Sequence, residues 1–179
     1  MIRPIIIESS FRGRRLDPSQ SRPRSLDIVG DDNRPVLEWI LHALGRIAAD
    51  KPLYVGGYHI EKIIESFPDL TVRYHQQRDR EGELGALCAC KPGTGPLLIV
   101  SAGTVVLPGA LEKMNMAPMA CGVYGRGHSA GIFYIDAEHV ARALDGAHAL
   151  LRTNLRATID DLFDQLGICL LYTSPSPRD

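Results

Sequence analysis

The sequence predicts one α/β domain with a mostly parallel central sheet, and three observations predict it. At about 150 residues per domain, 179 residues make one domain. A hydrophobic content of 45% is that of an ordinary globular chain, which excludes disorder for the whole. Short apolar runs alternate with stretches of helical period, the pattern of parallel strands joined by crossover helices.

Taken in order, Ile5 to Ile7 reads as a first buried strand, because polar Glu8-Ser9-Ser10 follows too soon for a secretory leader. The helix after Pro35, expected over Val36 to Ala49, carries Val36, Ile40, Leu44 and Ile47 on one face. Leu53 to Val55 and Leu70 to Tyr74 read as strands around a helix at His59 to Ser66. Leu84 to Cys90 is a short helix, Pro96 to Val100 a buried strand, and Pro108 to Met114 a helix opened by proline. Ile132 to Ile135 reads as a strand. Helices are expected over Glu138 to Leu144 and Asn154 to Leu166, the latter with Leu155, Ile159, Leu162, Phe163 and Leu166 turned inward. The first, third, fifth and seventh of these elements, at Ile5, Leu53, Leu70 and Leu97, are expected to neighbour one another in parallel.

No apolar run approaches the roughly 20 residues of a membrane span, so no membrane partner is expected. Cys88, Cys90, Cys121 and Cys169 include no C-x-x-C pair and read as small buried hydrophobes in a reducing, cytoplasmic setting. The six His form no H-x-x-x-H pattern, so no metal site is assigned. Gly125-x-Gly127-x-x-x-Gly131 lacks dinucleotide-site spacing, and Lys91 to Pro96 lacks the G-K-[ST] ending of a phosphate loop. Cys169 to Asp179 reads as the translation of a transposase-type sequencing adapter, so the domain is expected over 1–168, incomplete at its carboxyl end, with 169–179 a non-native tail.

The net charge of −1 leaves no general polyanion-binding field, so any anion site is local. There are 16 Arg and 4 Lys, and Arg12, Arg14, Arg15, Arg22 and Arg24 crowd the loop after the first strand. The carboxyl end of a parallel strand is where an α/β sheet binds anionic ligands. The alternatives are a solvated loop pairing with Asp17, Asp27, Asp31 and Asp32, or an RNA surface. Few aromatics flank these Arg, which argues against nucleic acid.

The loop resembles the opening of the nucleotidyltransferases that make nucleoside-diphosphate sugars and CDP-choline-like products, approximately L-A-A-G-x-G-x-R-L followed by a P-K pair and P-L-[LI]-x-[WY]. Gly13 falls on the second glycine, Arg15 on the arginine, Pro23-Arg24 on the Pro-Lys pair and Pro35 to Trp39 on the helix start. Val55 to Tyr58 is similar to the family's strand-then-G-Y turn, and Gly82 to Leu87 to its G-x-x-G-A-L helix. Leu97 to Val105 falls on a strand ending near Asp, Ser129 to Phe133 on N-A-G-I-Y, and Thr158 to Leu162 on S-L-E-x-D-L.

The resemblance implies a three-layer, Rossmann-like, glycosyltransferase-A-like fold. It implies transfer of a nucleoside monophosphate from a nucleoside triphosphate to a phosphorylated sugar or small alcohol phosphate, with Mg²⁺ if the activity is retained. Arg15 would stabilise the triphosphate and Arg24 would touch the transferred phosphate as catalytic groups. Ser9, Ser10, Gly13, Arg15, Gly85 and Ala86 would hold the nucleotide or nucleotide-sugar. Two departures bear on activity. Phe11 replaces a glycine that lets the nucleotide approach the backbone, and Gly103 stands in place of a metal-binding Asp, with no side-chain oxygen for a hard cation. Asp17, Asp27 or Asp136 would have to supply the metal instead. Loss of turnover is therefore expected, and a non-catalytic nucleotide- or nucleotide-sugar-binding regulatory module is the alternative. His128, beside the N-A-G-I-Y-like strand, is a candidate contact for the acceptor.

Overall fold

The computed structural model describes residues 1–8, 22–47, 49–75, 78–107, 109–113, 119–124, 128–167 and 171–172. In chain order the elements are β1 (Arg3–Ile7), a 3-10 turn (Arg24–Leu26), β2 (Ile28–Val29), β3 (Arg34–Pro35), α1 (Val36–Leu44), β4 (Leu53–Gly56), α2 (Ile60–Ser66), β5 (Thr71–Tyr74), α3 (Arg78–Ala89), β6 (Leu97–Ser101), α4 (Ala110–Lys113), β7 (Met119–Tyr124), β8 (His128–Ile135), α5 (Ala137–Thr153), α6 (Ile159–Gln165) and β9 (Leu171–Tyr172).

One sheet runs in the order β5-β4-β1-β6-β8-β7-β9, with β2 and β3 forming a separate antiparallel hairpin. β5, β4, β1 and β6 are parallel neighbours, as the apolar runs predict; β8 pairs antiparallel with β6, and β7 antiparallel with β8. The sheet is mostly parallel on one side only. Its two faces take alternate residues of each strand. Ile5, Ile7, Val55, Ile99 and Phe133 pack against α3, α5 and α6, while Ile6, Tyr54, Leu98, Val100 and Ile132 pack against α1, α2 and α4. The result is three layers, an α/β fold with helices on both faces of the sheet.

Several boundaries differ from expectation for local reasons. α1 stops at Leu44, with Gly45 as its C-cap and turn bonds from Arg46 and Ile47 back to Ala43 and Leu44; Ala49 already lies in a parallel bridge with Ile2. Ile47 continued the periodicity because it packs on the same apolar cluster from the turn. The last expected helix begins at Ile159 rather than at Asn154, because the Asn154 carboxamide oxygen accepts from Arg156 N at 3.0 Å and Thr158 forms a capping box with Asp161. Leu155 is accordingly exposed, not inward. α5 runs to Thr153, well past Leu144, from an Asp136 cap that accepts from His139 N at 3.1 Å.

Leu171–Tyr172, inside the stretch expected to be a non-native tail, pair in parallel with Gly122 and Val123 at the sheet edge. Among the described residues, no helix is long and apolar enough to cross a membrane.

Candidate functional site

The parallel strands end side by side at Ile7, Gly56, Tyr74 and Ser101, so the segments that follow them converge on one edge of the sheet. This is the edge where a parallel α/β sheet presents ligand-binding loops. Ser9, Ser10, Gly13 and Arg15, with Phe11 and Asp17, lie outside the described residues. The structure does describe both ends of their loop. Glu8 N donates to Val55 O at 2.9 Å, continuing the ladder by one residue. At the other end, Pro23 to Asp27 make a 3-10 turn closed by bonds from Leu26 N to Pro23 O (3.0 Å) and from Asp27 N to Arg24 O (2.9 Å). Leu26 is buried in the α1-side core and anchors the turn.

Arg24, the first residue of that turn, is exposed, and among the described residues its guanidinium has no ion-pair partner. Its neighbour Arg22 does pair, with Asp27 at 3.4 Å. Of the Arg–Asp pairings weighed from sequence, one is thus present at Asp27, and Arg34 joins Asp32 and Glu38, each at 3.8 Å. Such exposed pairs contribute little.

At the end of β6, Ala102 N donates to Ile7 O at 2.8 Å, which ties this turn to the start of the Arg-rich loop. Gly103 is exposed, and a Cβ built on it meets nothing within 4 Å. Thr104 Oγ1 donates to Ala130 O at 2.9 Å, and Gly131, at φ +69°, lets the two segments touch; a Cβ there would lie 2.8 Å from both Ser101 Cβ and Thr104 Oγ1. The A-G pair read from sequence is therefore a seat for the Gly103 turn. β8 begins at this edge, because it runs opposite to β6, and so His128 lies at the site end of the sheet.

The G-x-x-G-A-L stretch follows β5. Gly82 adopts φ 57°, ψ −149°, a break that only glycine takes without strain, and the rest of α3 starts there. Gly85 and Ala86 lie in its first turns but are buried. A Cβ on Gly85 would collide with Glu81 Cβ, so the Glu81 side chain already covers this glycine. Burial, with Glu81 nearby, pushes the Cys88 thiol up to about 11, and burial pushes Cys90 up to about 12. Both remain protonated thiols, and Cys90 Sγ donates to Ala86 O at 3.0 Å.

Two features of this edge were not read from sequence. The carboxylate of Glu8, 8% exposed, accepts from Ser25 Oγ at 2.9 Å and from the Tyr54 hydroxyl. His59, left-handed at φ 47°, caps the start of α2 and joins its Nδ1 to Glu61 Oε1 at 2.7 Å; this bond holds the Glu61 carboxyl below its ordinary range. Glu8 carried one signal, a carboxylate directly abutting three isoleucines. Its partners are 17 and 46 residues away and are brought close only by the fold.

Mg²⁺ does not fit the described part of the site. Gly103 offers no side-chain oxygen, Ser101 and Thr104 offer hydroxyls where a hard cation takes carboxylates, and among the described residues no three His, Cys, Asp or Glu are grouped to hold a metal. Two of the substitute acids have other partners. Asp27 is paired with Arg22, and Asp136 follows β8 at the opposite edge, where it caps α5 and binds His139 Nδ1 at 2.6 Å.

The chain has the nucleotidyltransferase-like fold, Rossmann-like and three-layered. Solved structures with that fold superpose over nearly its whole length. They include the CTP:phosphocholine cytidylyltransferase of Streptococcus pneumoniae (TM-score 0.71, 12% identity, covering 97% of this chain and 90% of that one). A glucose-1-phosphate thymidylyltransferase of Bacillus anthracis gives a TM-score of 0.68 at 14% identity, over 98% and 87% of the two chains. The inositol-1-phosphate CTP transferase of T. maritima gives 0.66 at 10% identity, over 96% and 84%. No protein-family model matches the chain, and no curated protein matches it.

Proposed function

We propose that this chain binds a nucleoside triphosphate or nucleotide-sugar at the carboxyl edge of β1, β4, β5 and β6 and does not turn it over. Arg24 carries this reading. It is an exposed guanidinium without an ion-pair partner among the described residues, on a turn anchored beside the end of β1. A guanidinium offers forked donors that match phosphate oxygens. Arg15, from the same loop, is assigned the same task, with Ser9, Ser10 and Gly13 lining the phosphates and Gly85 facing the nucleoside once Glu81 swings aside; Ala86 is packed in the apolar core and is assigned no contact.

Transfer of the nucleoside monophosphate to a phosphorylated sugar or alcohol phosphate, the activity of such enzymes, needs cationic cover and a metal to align the reacting oxygens. The described residues supply the first and not the second. Gly103 favours binding over catalysis, and a regulatory or ligand-sensing role fits that division. Calorimetric titration with ATP, CTP, GTP, UTP and dTTP, each with Mg²⁺ and with EDTA, tests the reading alongside a pyrophosphate-release assay with choline phosphate and glucose 1-phosphate. Binding in EDTA without pyrophosphate release is expected. Rapid pyrophosphate release would show that the metal is supplied by another acid.

A further inference from the structure

Glu8 and Ser25 flank residues 9–24 in the sequence, and their side chains are bonded to each other. Ser25 Oγ donates to Glu8 Oε2 at 2.9 Å, the Tyr54 hydroxyl donates to the same oxygen, and the two hydroxyl oxygens lie 2.9 Å apart. Ser25 is 0% exposed and Tyr54 1%. Three polar side chains from β1, the 3-10 turn and β4 thus converge beside the apolar cluster that includes Ile6, Leu26 and Tyr54. Gly56 keeps the space open, because a Cβ on it would lie 2.9 Å from the Tyr54 ring and 3.2 Å from Glu8 Cβ.

A buried carboxylate costs stability unless hydrogen bonds compensate it. Leucine, which the nucleotidyltransferase pattern has at this place, would fill the same space without that cost. What leucine cannot do is reach across to Ser25. The turn would then keep its Leu26 anchor but lose the bond from Ser25 to β1; it is three residues long with no side-chain cap at Pro23, and so short a 3-10 segment is weak by itself.

We propose that Glu8 is a positioning residue: its bonds to Ser25 and Tyr54 clamp the turn that presents Arg24 to a nucleotide's phosphates. This rests on the function proposed above. A guanidinium on a fixed turn binds with less ordering cost than one on a loose loop, so the clamp raises affinity without touching the ligand.

The test compares the full chain with Glu8→Leu, Glu8→Gln, Tyr54→Phe and Arg24→Ala, and with Glu8→Leu combined with Arg24→Ala. Two quantities are read: amide hydrogen exchange at Leu26 and Asp27 without ligand, and affinity for CTP, UTP and ATP. In Glu8→Leu, exchange at those amides should quicken about ten-fold and triphosphate affinity should fall about ten-fold, the net contribution of one or two ordinary hydrogen bonds. Glu8→Gln, whose amide oxygen still accepts both hydroxyls, should recover most of both. In the Arg24→Ala background, Glu8→Leu should cost no further affinity. Unchanged exchange in Glu8→Leu overturns the clamp, and so does an affinity loss of equal size with and without Arg24. If Glu8→Leu does not fold, Tyr54→Phe carries the same comparison with one hydroxyl removed and an effect of about three-fold. Failure of the unmodified chain to bind any triphosphate overturns the functional reading, and the ligand-free exchange result tells that failure apart from failure of the clamp.

Discussion

Gly131→Ala should be the most damaging single methyl addition at the site edge, and its cost follows from two distances and one angle. Gly131 sits at φ +69°, where a side chain costs about 1 to 2 kcal/mol. The new Cβ would also lie 2.8 Å from Ser101 Cβ and 2.8 Å from Thr104 Oγ1. Thr104 can rotate away, at the loss of its bond to Ala130 O. Ser101 Cβ cannot, because it is fixed to the backbone of β6, so the strands must part; overpacking of this kind costs about 1 to 3 kcal/mol. Together these give about 2 to 5 kcal/mol. Unfolding entropy near 2.1 cal/mol/K per residue over 179 residues makes about 0.4 kcal/mol per degree, so Tm should fall by about 5 to 13 °C. Gly103→Ala, in the turn that Gly131 faces and with nothing within 4 Å of its Cβ, is the control and should move Tm by no more than about 1 °C. Differential scanning calorimetry reads both. A Gly131→Ala protein melting within 2 °C of the parent, by that same ~2 °C margin, would refute the claim that this glycine seats the Gly103 turn.

Other outcomes follow from the same structure. Cys88 and Cys90 have thiols raised to about 11 and about 12; a raised thiol keeps its stabilising effect below the unfolded value and loses it as pH climbs to the folded one. Stability should therefore decline from about pH 9, and at pH 8 maleimide should label neither thiol until denaturant is added. His59→Ala removes the bond that lowers the Glu61 carboxyl, so the Glu61 carboxyl resonance should titrate at higher pH in the variant. Deleting Cys169 to Asp179 removes a two-residue edge strand and should lower Tm by no more than about 4 °C; a larger loss would count against treating 169–179 as foreign to the fold.

β1, β4 and β6 were legible because strands buried on both faces are written as continuous apolar runs, such as Ile5-Ile6-Ile7 and Leu97 to Val100, whereas β5, Thr71-Val-Arg-Tyr74, is mostly exposed and is no such run. β7 was not legible, since Gly122 interrupts its apolar run and Val123 is its one β-branched residue. The β2–β3 hairpin, with two residues to a strand, left no period to detect. Helix ends moved where a local bond won over periodicity, at Gly45 and at the Thr158–Asp161 capping box. Within the candidate site, Arg24 and Gly82 to Leu87 were singled out by the motifs they resemble, the Pro-Lys pair and G-x-x-G-A-L. The Glu8–Ser25–Tyr54 contact was not, because tertiary bonds between distant residues have no spacing rule.

The direct test of the central claim is calorimetric titration of the unmodified chain and of Arg24→Ala with nucleoside triphosphates in EDTA, run beside pyrophosphate release in Mg²⁺. Loss of a charged phosphate contact costs about 1.5 to 3 kcal/mol, so Arg24→Ala should bind about ten- to a hundred-fold more weakly. The unmodified chain should bind and release no pyrophosphate. Equal affinity in the two proteins, or steady pyrophosphate release by the unmodified chain, would contradict a phosphate-binding edge that has kept its cations and lost its metal.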